Sequence, residues 1–257
     1  MKKTTLECFN NSPYSSIKHS TYFDVYDRLF SPYIGKKITF VEIGILNGGS
    51  LFMWRDFFGP QARIIGIDLN PEAKRWEKDG FEIYIGSQSD PEFWRETLRE
   101  IGDIDVLLDD GGHTFEQQIV TVESALPAIK DGGLLVVEDT HTSYMKEFGG
   151  PCKYSFIEYA KNIVDGINYR FGELSNRKHE SVIHGVLFYE SFVALEVNRK
   201  KSVVSSPTKN EGKEFGAEDF RYHEHKQLNL PKKINKLIRK IRNSIKILNL
   251  RKYFRYK

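Results

Sequence analysis

The sequence predicts an α/β fold built on a doubly wound, mostly parallel sheet of seven strands that ends in an antiparallel hairpin. Five short apolar runs with the length of buried strands alternate along the chain with segments of helical periodicity. A glycine-rich turn follows the first run, and acidic residues end the second, fourth and fifth. Two further apolar runs, at 182–189 and 192–197, are close enough in sequence to pair as the hairpin.

The apolar pattern also gives the expected limits of each element. The parallel strands are expected at 39–44, 63–68, 81–86, 106–109 and 134–137. Helices are expected at 19–30, 51–58, 91–101, 114–130 and 153–169, with another that starts near Pro71. Asp90 is expected to cap the helix at 91–101, and Asp131-Gly132-Gly133 to close the one at 114–130. We interpret the aromatic residues of 19–30 as packing on the sheet, with covering of a cofactor as the alternative.

Composition predicts a single domain in a reducing compartment. A chain of 257 residues, 40% of them hydrophobic, can bury one sizeable core. Its two cysteines, Cys8 and Cys152, fit no zinc spacing and suggest no disulfide framework, so we expect a cytoplasmic setting. The first residues lack the apolar core of a signal peptide, and no apolar run approaches the length of a membrane span. We therefore expect a soluble protein.

The glycine turn after the first predicted strand favours a site for a nucleotide-like ligand. A strand, a glycine turn and a helix together direct backbone amides at a ligand, although the spacing of Gly44, Gly48 and Gly49 is not that of a dinucleotide-binding motif. Asp68 ends the next strand, where its carboxylate could accept both hydroxyl protons of a ribose. Capping of the helix near Pro71 is the alternative role for Asp68.

Acidic residues end two neighbouring strands of the predicted sheet. Asp109 and Asp110 follow the fourth apolar run, and Glu138 and Asp139 follow the fifth. Because the carboxyl ends of adjacent parallel strands meet at one crevice, Asp110, Glu138 and Asp139 can converge there. Carboxylates are the protein ligands that Mg²⁺ prefers, and three of them leave positions for two substrate hydroxyls. Simple helix capping is the alternative for these acids.

His113 follows the fourth strand closely enough to face the same crevice. Coordination to a cation makes the proton of a hydroxyl easier to remove, and an imidazole is well suited to accept it. His113 is therefore the candidate general base, with hydrogen bonding to Asp109 or Asp110 as the alternative. His141 lies beyond the acids and is a second candidate base.

These motifs together resemble the class I S-adenosylmethionine-dependent methyltransferases. The similarity covers residues 19–195 and is carried by 40–44, 67–68, 108–113 and 137–144. More narrowly, the last two motifs are similar to the metal-dependent sugar O-methyltransferases that modify macrolide and rhamnosyl sugars, and to related proteins that act on capsular heptoses. The chain departs from that group at His141, where Gln is frequent, and at Met145, where a larger aromatic residue is common. The identity of the sugar is thus left open.

The resemblance implies a Rossmann-like methyltransferase fold and a role for each motif. The methionine part of S-adenosylmethionine would be surrounded by Glu42, Gly44 and Gly48. Asp68 would hold its ribose, and Ser87 and Gln88 would lie by its adenine. The residues that would bind Mg²⁺ are Asp110, Glu138 and Asp139. His113 would be the base, with Asp110 beside it in the catalytic set, and Asp109 would support the strand end and the donor pocket.

The implied organisation of the chain has four segments. A helical segment at 1–35 precedes an S-adenosylmethionine-binding catalytic domain at 36–198, which a polar loop at 199–225 joins to a basic amphipathic helix at 226–257. The expected activity is Mg²⁺-dependent O-methylation of a sugar, either nucleotide-linked or part of a surface or capsular polysaccharide. The alternatives are a catechol-like or other small-molecule acceptor, and a non-catalytic scaffold with a membrane-binding tail.

The segment 226–257 is strongly basic. It holds twelve Lys or Arg and no Asp or Glu, which leaves a net charge of −9 on the other 225 residues. Apolar residues recur from Ile234 at steps of three and four, and Pro231 can start a helix. We expect this helix to bind the anionic inner surface of a membrane. The alternative partner is an acidic face of a sister subunit in a homo-oligomer. RNA would also suit the charge, but nucleic acid is not the partner that we expect.

Overall fold

A mixed sheet carries the ligand-facing loops of the molecule. Its strands are β1 (Thr39–Ile43), β2 (Arg63–Asp68), β3 (Glu82–Ile85), β4 (Ile104–Asp109), β5 (Ile129–Val137), β6 (Ile183–Tyr189) and β7 (Phe192–Val197). Their order is β3-β2-β1-β4-β5-β7-β6. Strands β1 to β5 run parallel, and the hairpin of β6 and β7 adds to β5 in the antiparallel direction. The predicted seven-stranded, doubly wound sheet is confirmed.

The structure is a computed structural model that describes residues 3–170 and 181–213, with Gly216, Ile234 and Leu237. Its contacts divide the chain into two units, Met1–Ser205 and Ser206–Lys257, and the sheet belongs to the first. The basic segment predicted at 226–257 lies outside the described residues except for Ile234 and Leu237, so its helix and its partner stay predictions. No helix in the described part of the chain is both long and apolar enough to cross a membrane.

Helices cover both faces of the sheet because successive strand residues point to opposite sides. The helices are α1 (Thr5–Asn10), α2 (Tyr22–Phe30), α3 (Gly49–Phe58), α4 (Pro91–Ile101), α5 (Phe115–Ala125) and α6 (Phe156–Tyr169). Phe40 of β1 packs in a core layer with α2 and α3, which includes Trp54 and Phe58. Its neighbour Val41 packs in the opposite layer, with Trp94 of α4.

The predicted helix at 114–130 is too long. Helix α5 ends at Ala125, Leu126–Ala128 form a 3₁₀ turn, and β5 already begins at Ile129, which pairs with Ile104 of β4. Pro127 explains the difference, because proline has no N–H to continue a helical ladder. The pair Gly132-Gly133 therefore lies within β5 and does not close a helix.

Other helix starts differ by a few residues from the expected ones. Helix α2 begins at Tyr22, and α6 begins at Phe156 after Ser155, whose side chain accepts from the amide of Glu158. The segment Pro71–Asp79 is a 3₁₀ helix. Asp90 caps α4 as predicted, because its side chain accepts from Glu92 N. The predicted limits of the four chain segments stay predictions.

Candidate active site

The turn after β1 brings the ends of two strands into direct backbone contact. Gly44 has a φ of +81°, and a Cβ at this position would lie 2.1 Å from the carbonyl oxygen of Asp110. The Gly44 amide donates to Ile67 O at 2.8 Å, and Asp110 N donates to Ile43 O at 3.0 Å. Only glycine fits this combination of a left-handed backbone and a close approach. The turn therefore lies directly against the acidic end of β4.

Glu42 stabilises the same turn from below. Its buried carboxylate accepts from Ser50 Oγ at 2.6 Å and from Trp54 Nε1 at 3.0 Å, both on α3. Burial raises the pKa of Glu42 to about 7 against the opposing effects of Lys18, Ser50 and Trp54. Glu42 thus stabilises the start of α3. It does not itself line the cavity described below, but its hydrogen-bond partner Ser50 does.

Asp68 ends β2 and joins the glycine turn. Its Oδ2 accepts from the amides of Ile45 and Leu46 at 3.0 and 3.2 Å, and its Oδ1 accepts from Asn70 N at 2.8 Å. The residue that caps the 3₁₀ helix after Pro71 is Asn70, which accepts from Glu72 N. The predicted alternative role of Asp68 as that cap therefore does not apply.

Gln88 connects the loop after β3 to the end of β4. Its Nε2 donates to both carboxylate oxygens of Asp109, at 2.9 and 3.0 Å, while its Oε1 accepts from Gly112 N at 2.8 Å. Burial raises the pKa of Asp109 to about 6, although the hydrogen bonds from Gln88 and Gly111 oppose the change. Ser87 instead bonds within its own loop, to Ser89 N. Of the two predicted adenine-side residues, only Gln88 reaches the site.

Asp110 after β4 and Asp139 after β5 converge with His113, as the sequence predicts for these two acids. Asp110 and Asp139 each offer a ligand atom within 4.8 Å of one on His113, and His113 Nε2 lies 3.4 Å from Asp139 Oδ2. His113 and Asp139 both adopt a positive φ, at 59° and 54°. Such conformations cost about 1–3 kcal/mol in non-glycine residues and occur most often at functional sites.

Glu138 stands apart from this group. Its side chain is 1% exposed, it accepts from Tyr26 Oη at 2.7 Å, and it lies 3.2 Å from Lys18 Nζ. Among the described residues it belongs to neither set of three side chains whose ligand atoms lie within 4.8 Å of one another. Of the three predicted Mg²⁺ ligands, the structure thus brings two together and turns the third toward a lysine.

Lys18 is a site residue that sequence reasoning missed. Its ammonium lies between Asp110 and Glu138, forms an ion pair with both and is 1% exposed. Burial acts to lower the pKa of Lys18, but the carboxylates outweigh it and raise that pKa well above its usual value. Burial raises the pKa of Glu138 as well. Lys18 therefore carries a buried positive charge at neutral pH.

Two tyrosines of α2 also reach the acids. Tyr26 donates to Glu138, and Tyr22 donates to Asp139 Oδ1. The rings of both pack against Phe192 of β7, as the sequence predicts for this helix. Tyr22 and Tyr26 lie about one turn apart on α2, whereas Lys18 precedes the helix, so no helical spacing links it to them.

His141 lies at the edge of the acid group. Its Nδ1 is 3.0 Å from Ser191 Oγ and 3.8 Å from Asp139 Oδ1. With His19 and Asp139 it forms the second set of side chains whose ligand atoms lie within 4.8 Å of one another. His141 is thus a neighbour of the acids. Of the two candidate bases, His113 is the one that lines the cavity described next.

One cavity of about 430 Å³ joins the glycine turn to the acid group. The predicted site residues that line it are Gly44, Asp68, Gln88, Asp110, His113 and Asp139. Those that it does not include are Glu42, Gly48, Ser87, Asp109 and Glu138, which lie behind its wall or beside it. The sequence thus predicted six of the residues that line the cavity, and it missed Lys18 among the others.

Comparison with known proteins agrees with this architecture. Residues 41–140 match the model of a family described as a methyltransferase domain. The MycE methyltransferase of the mycinamycin biosynthetic pathway, solved in complex with Mg, SAH and mycinamycin VI, superposes with a TM-score of 0.71 at 26% identity. That match covers 80% of this chain and 56% of that one. Residues 41–140 are therefore similar to a methyltransferase domain, and the fold is similar to that of MycE.

Curated relatives of this chain are O-methyltransferases, according to their names. An 8-demethyl-8-alpha-L-rhamnosyl tetracenomycin-C 2'-O-methyltransferase of Streptomyces olivaceus is 31% identical over 159 residues, which are 58% of this chain and 42% of that protein. A mycinamicin VI 2''-O-methyltransferase of Micromonospora griseorubida is 31% identical over 157 residues, 56% of this chain and 39% of that protein. The chain therefore spans about two fifths of the length of these relatives.

Proposed function

We propose that this protein is an S-adenosylmethionine- and Mg²⁺-dependent O-methyltransferase that acts on a hydroxyl of a sugar. The observation that carries the proposal is a cavity in which Asp68 and the glycine turn face the same space as Asp110, His113 and Asp139. A methyl donor and a hydroxyl acceptor must meet in one water-poor space for the transfer to occur. The cavity offers both halves of such a site.

The donor half suits a nucleoside with a charged amino-acid tail. Asp68 and Gln88 offer polar atoms to a ribose and a base, and Gly44 leaves room where any side chain would collide. Ser16 Oγ, at the wall of the cavity, is buried without a hydrogen-bond partner. An orphaned polar atom of this kind is expected to gain a partner when a ligand binds.

The acid half suits a hard divalent cation. Asp110 and Asp139 are hard oxygen ligands, and neither cysteine of the chain is near them in sequence or bonded to them. Glu138 completes the proposed set once its carboxylate is free of Lys18. When bound, Mg²⁺ would orient two vicinal hydroxyls and make one of their protons easier to remove.

His113 is the proposed base. It lines the cavity, and Asp139, 3.4 Å away, can orient its ring. His113 would take the hydroxyl proton while the oxygen gains the methyl group, so the products are the methyl ether and S-adenosylhomocysteine. The base contributes through position, because the imidazole must lie within hydrogen-bond reach of the hydroxyl that reacts.

A sugar is the proposed acceptor class. The names of the curated relatives support it, because each describes methylation of a rhamnosyl, macrolide-linked or olivosyl substrate. Among the described residues that line the cavity, His113 has the only ring side chain, whereas a catechol would be expected to need a flat aromatic slot. A capsular heptose and a nucleotide-linked sugar belong to the same class and define the panel for the test.

The test measures donor binding and transfer separately. Calorimetry with S-adenosylhomocysteine should give micromolar or tighter binding to the wild type, at least tenfold weaker binding to Asp68→Asn and unchanged binding to Asp90→Asn, which caps α4 outside the cavity. Methyl transfer should then be seen with a deoxysugar, a heptose or a nucleotide sugar. Absence of donor binding, or transfer to catechol alone, would overturn the proposal.

A further inference from the structure

The N-terminal strap, defined as residues 12–21, lies between α1 and α2 in the chain. The strap lies on the start of α3: Ser12 Oγ donates to Gly49 O at 2.8 Å, and a Cβ on Gly49 would lie 2.3 Å from Tyr14 O. The ring of Tyr14 packs against Trp76 at 4.5 Å. Ser16, Ile17 and Lys18 then form part of the cavity wall, and Ile17 is 85% exposed.

The strap ends by inserting a cation among the acids. Lys18 Nζ pairs with Asp110 and with Glu138, which come from the ends of β4 and β5. The ammonium also lies 5.7 Å from the centre of the Tyr26 ring. No other lysine or arginine of the described residues forms an ion pair with either acid. Lys18 is therefore the cation that balances Asp110 and the buried Glu138.

Two of the three acids proposed for Mg²⁺, Asp110 and Glu138, are thus already paired with the ammonium of Lys18. A second cation between the same carboxylates would stand within a few ångströms of the ammonium, where two positive charges repel each other strongly in a poorly solvated space. The ammonium and a divalent cation cannot both occupy that position. One must leave before the other binds.

We propose that Lys18, with the strap in place, occupies the position that the metal would take between Asp110 and Glu138. Binding of a divalent cation and release of the strap are then one coupled event. The inference rests on the metal site of the proposed function and adds a regulatory contact to it. By linkage, whatever holds the strap down weakens metal binding, and the metal loosens the strap by the same factor. The strap is thus a built-in competitor for the cofactor.

The first test measures binding of Mn²⁺ alone by electron paramagnetic resonance, with no donor or acceptor present. Lys18→Met keeps the length of the side chain and removes its charge, so it should bind Mn²⁺ at least tenfold more tightly than the wild type. Lys130→Met is the matched control, because Lys130 pairs with Asp105 at the opposite end of β4. Equal or weaker binding by Lys18→Met would overturn the inference.

A second variant keeps Lys18 in case its loss prevents folding. Ser12→Ala removes the hydrogen bond that fastens the strap to Gly49 and leaves the acids unchanged. It should bind Mn²⁺ about twofold to fivefold more tightly than the wild type, since a hydrogen bond contributes about 1 kcal/mol. Unchanged affinity in Ser12→Ala together with unchanged affinity in Lys18→Met would contradict the coupling.

The wild type supplies an independent readout. Hydrogen exchange measured by mass spectrometry should speed up at residues 12–21 when Mn²⁺ is added, and should not change in α4. Slower or unchanged exchange at the strap, in a protein that binds Mn²⁺, would refute the competition but keep the metal site. If neither the wild type nor Lys18→Met binds Mn²⁺, the metal site of the proposed function fails, and the inference fails with it.

Discussion

His113 Nε2 and Asp139 Oδ2 lie 3.4 Å apart across the ends of two adjacent strands, and both residues have a left-handed backbone. The neighbouring loops are tied together, because Thr142 Oγ1 donates to His113 O at 3.0 Å. An imidazole and a carboxylate are therefore held facing each other by strained backbone, which the surrounding contacts must over-determine. This arrangement suits the proposed base, with a proposed metal ligand beside it.

Replacement of His113 should stop transfer without affecting the donor. His113→Ala is expected to lower kcat by about 10²- to 10⁴-fold, the usual contribution of a general base. Its affinity for S-adenosylhomocysteine should stay within about twofold of the wild type. His184→Ala, an exposed histidine on β6, is the control and should keep full activity. The role of base is wrong if His113→Ala keeps its kcat.

Gln88 should matter for stability as well as for the donor. Gln88→Ala removes three hydrogen bonds around the buried Asp109 and the amide of Gly112, and leaving such groups unsatisfied costs about 1–3 kcal/mol. Ser87→Ala loses one bond within its own loop and should change the free energy of unfolding by less than about 0.5 kcal/mol. Urea unfolding of both variants measures the difference, and equal stabilities would count against this role.

The close approach of β1 and β4 predicts that Gly44 tolerates no side chain. Gly44→Ala adds a Cβ 2.1 Å from Asp110 O, whereas Gly80→Ala adds one in open space at a similar φ of +83°. Both variants bear the strain of a left-handed alanine, about 1 kcal/mol, so their difference reports the collision alone. We expect Gly44→Ala to be less stable than Gly80→Ala by about 2 kcal/mol or more in urea unfolding. Similar stabilities would mean that the strand ends separate easily.

The pKa of Glu42 predicts how stability depends on pH. Because burial raises this pKa to about 7, the folded state binds more protons than the unfolded state between roughly pH 4.5 and 7. The free energy of unfolding therefore falls as pH rises through this window, and Glu42 contributes to the fall. In Glu42→Gln the free energy of unfolding should fall less between pH 5 and pH 8. The stability of this variant relative to the wild type should therefore be greater at pH 8 than at pH 5. Parallel curves for the two proteins would contradict a raised pKa.

Much of the fold followed from the sequence because strand ends carry their own signals. Apolar runs that end at Asp68, Asp110 and Glu138 place acids at one edge of a parallel sheet, and the structure has them there. The limit of α5 was missed because the apolar periodicity continues past Pro127 into β5, so one pattern covers two elements.

The partners of the acids could not be read from the sequence. Lys18 pairs with residues 92 and 120 positions away, and no local pattern connects a lysine in a polar segment to a distant strand end. Tyr26 is a second example. Its aromatic ring predicts packing in the core, but the sequence does not predict that its hydroxyl donates to Glu138. Tertiary contacts of this kind set which acids face the cavity.

The proposed mechanism makes methyl transfer dependent on Mg²⁺. The wild type is treated with a chelator and its transfer from S-adenosylmethionine to a sugar with vicinal hydroxyls is followed as Mg²⁺ is restored, beside Asp110→Asn. We expect activity to fall at least 100-fold without the metal, to recover in the wild type and to stay low in Asp110→Asn. Full activity in the chelated enzyme, or in Asp110→Asn, would contradict the account.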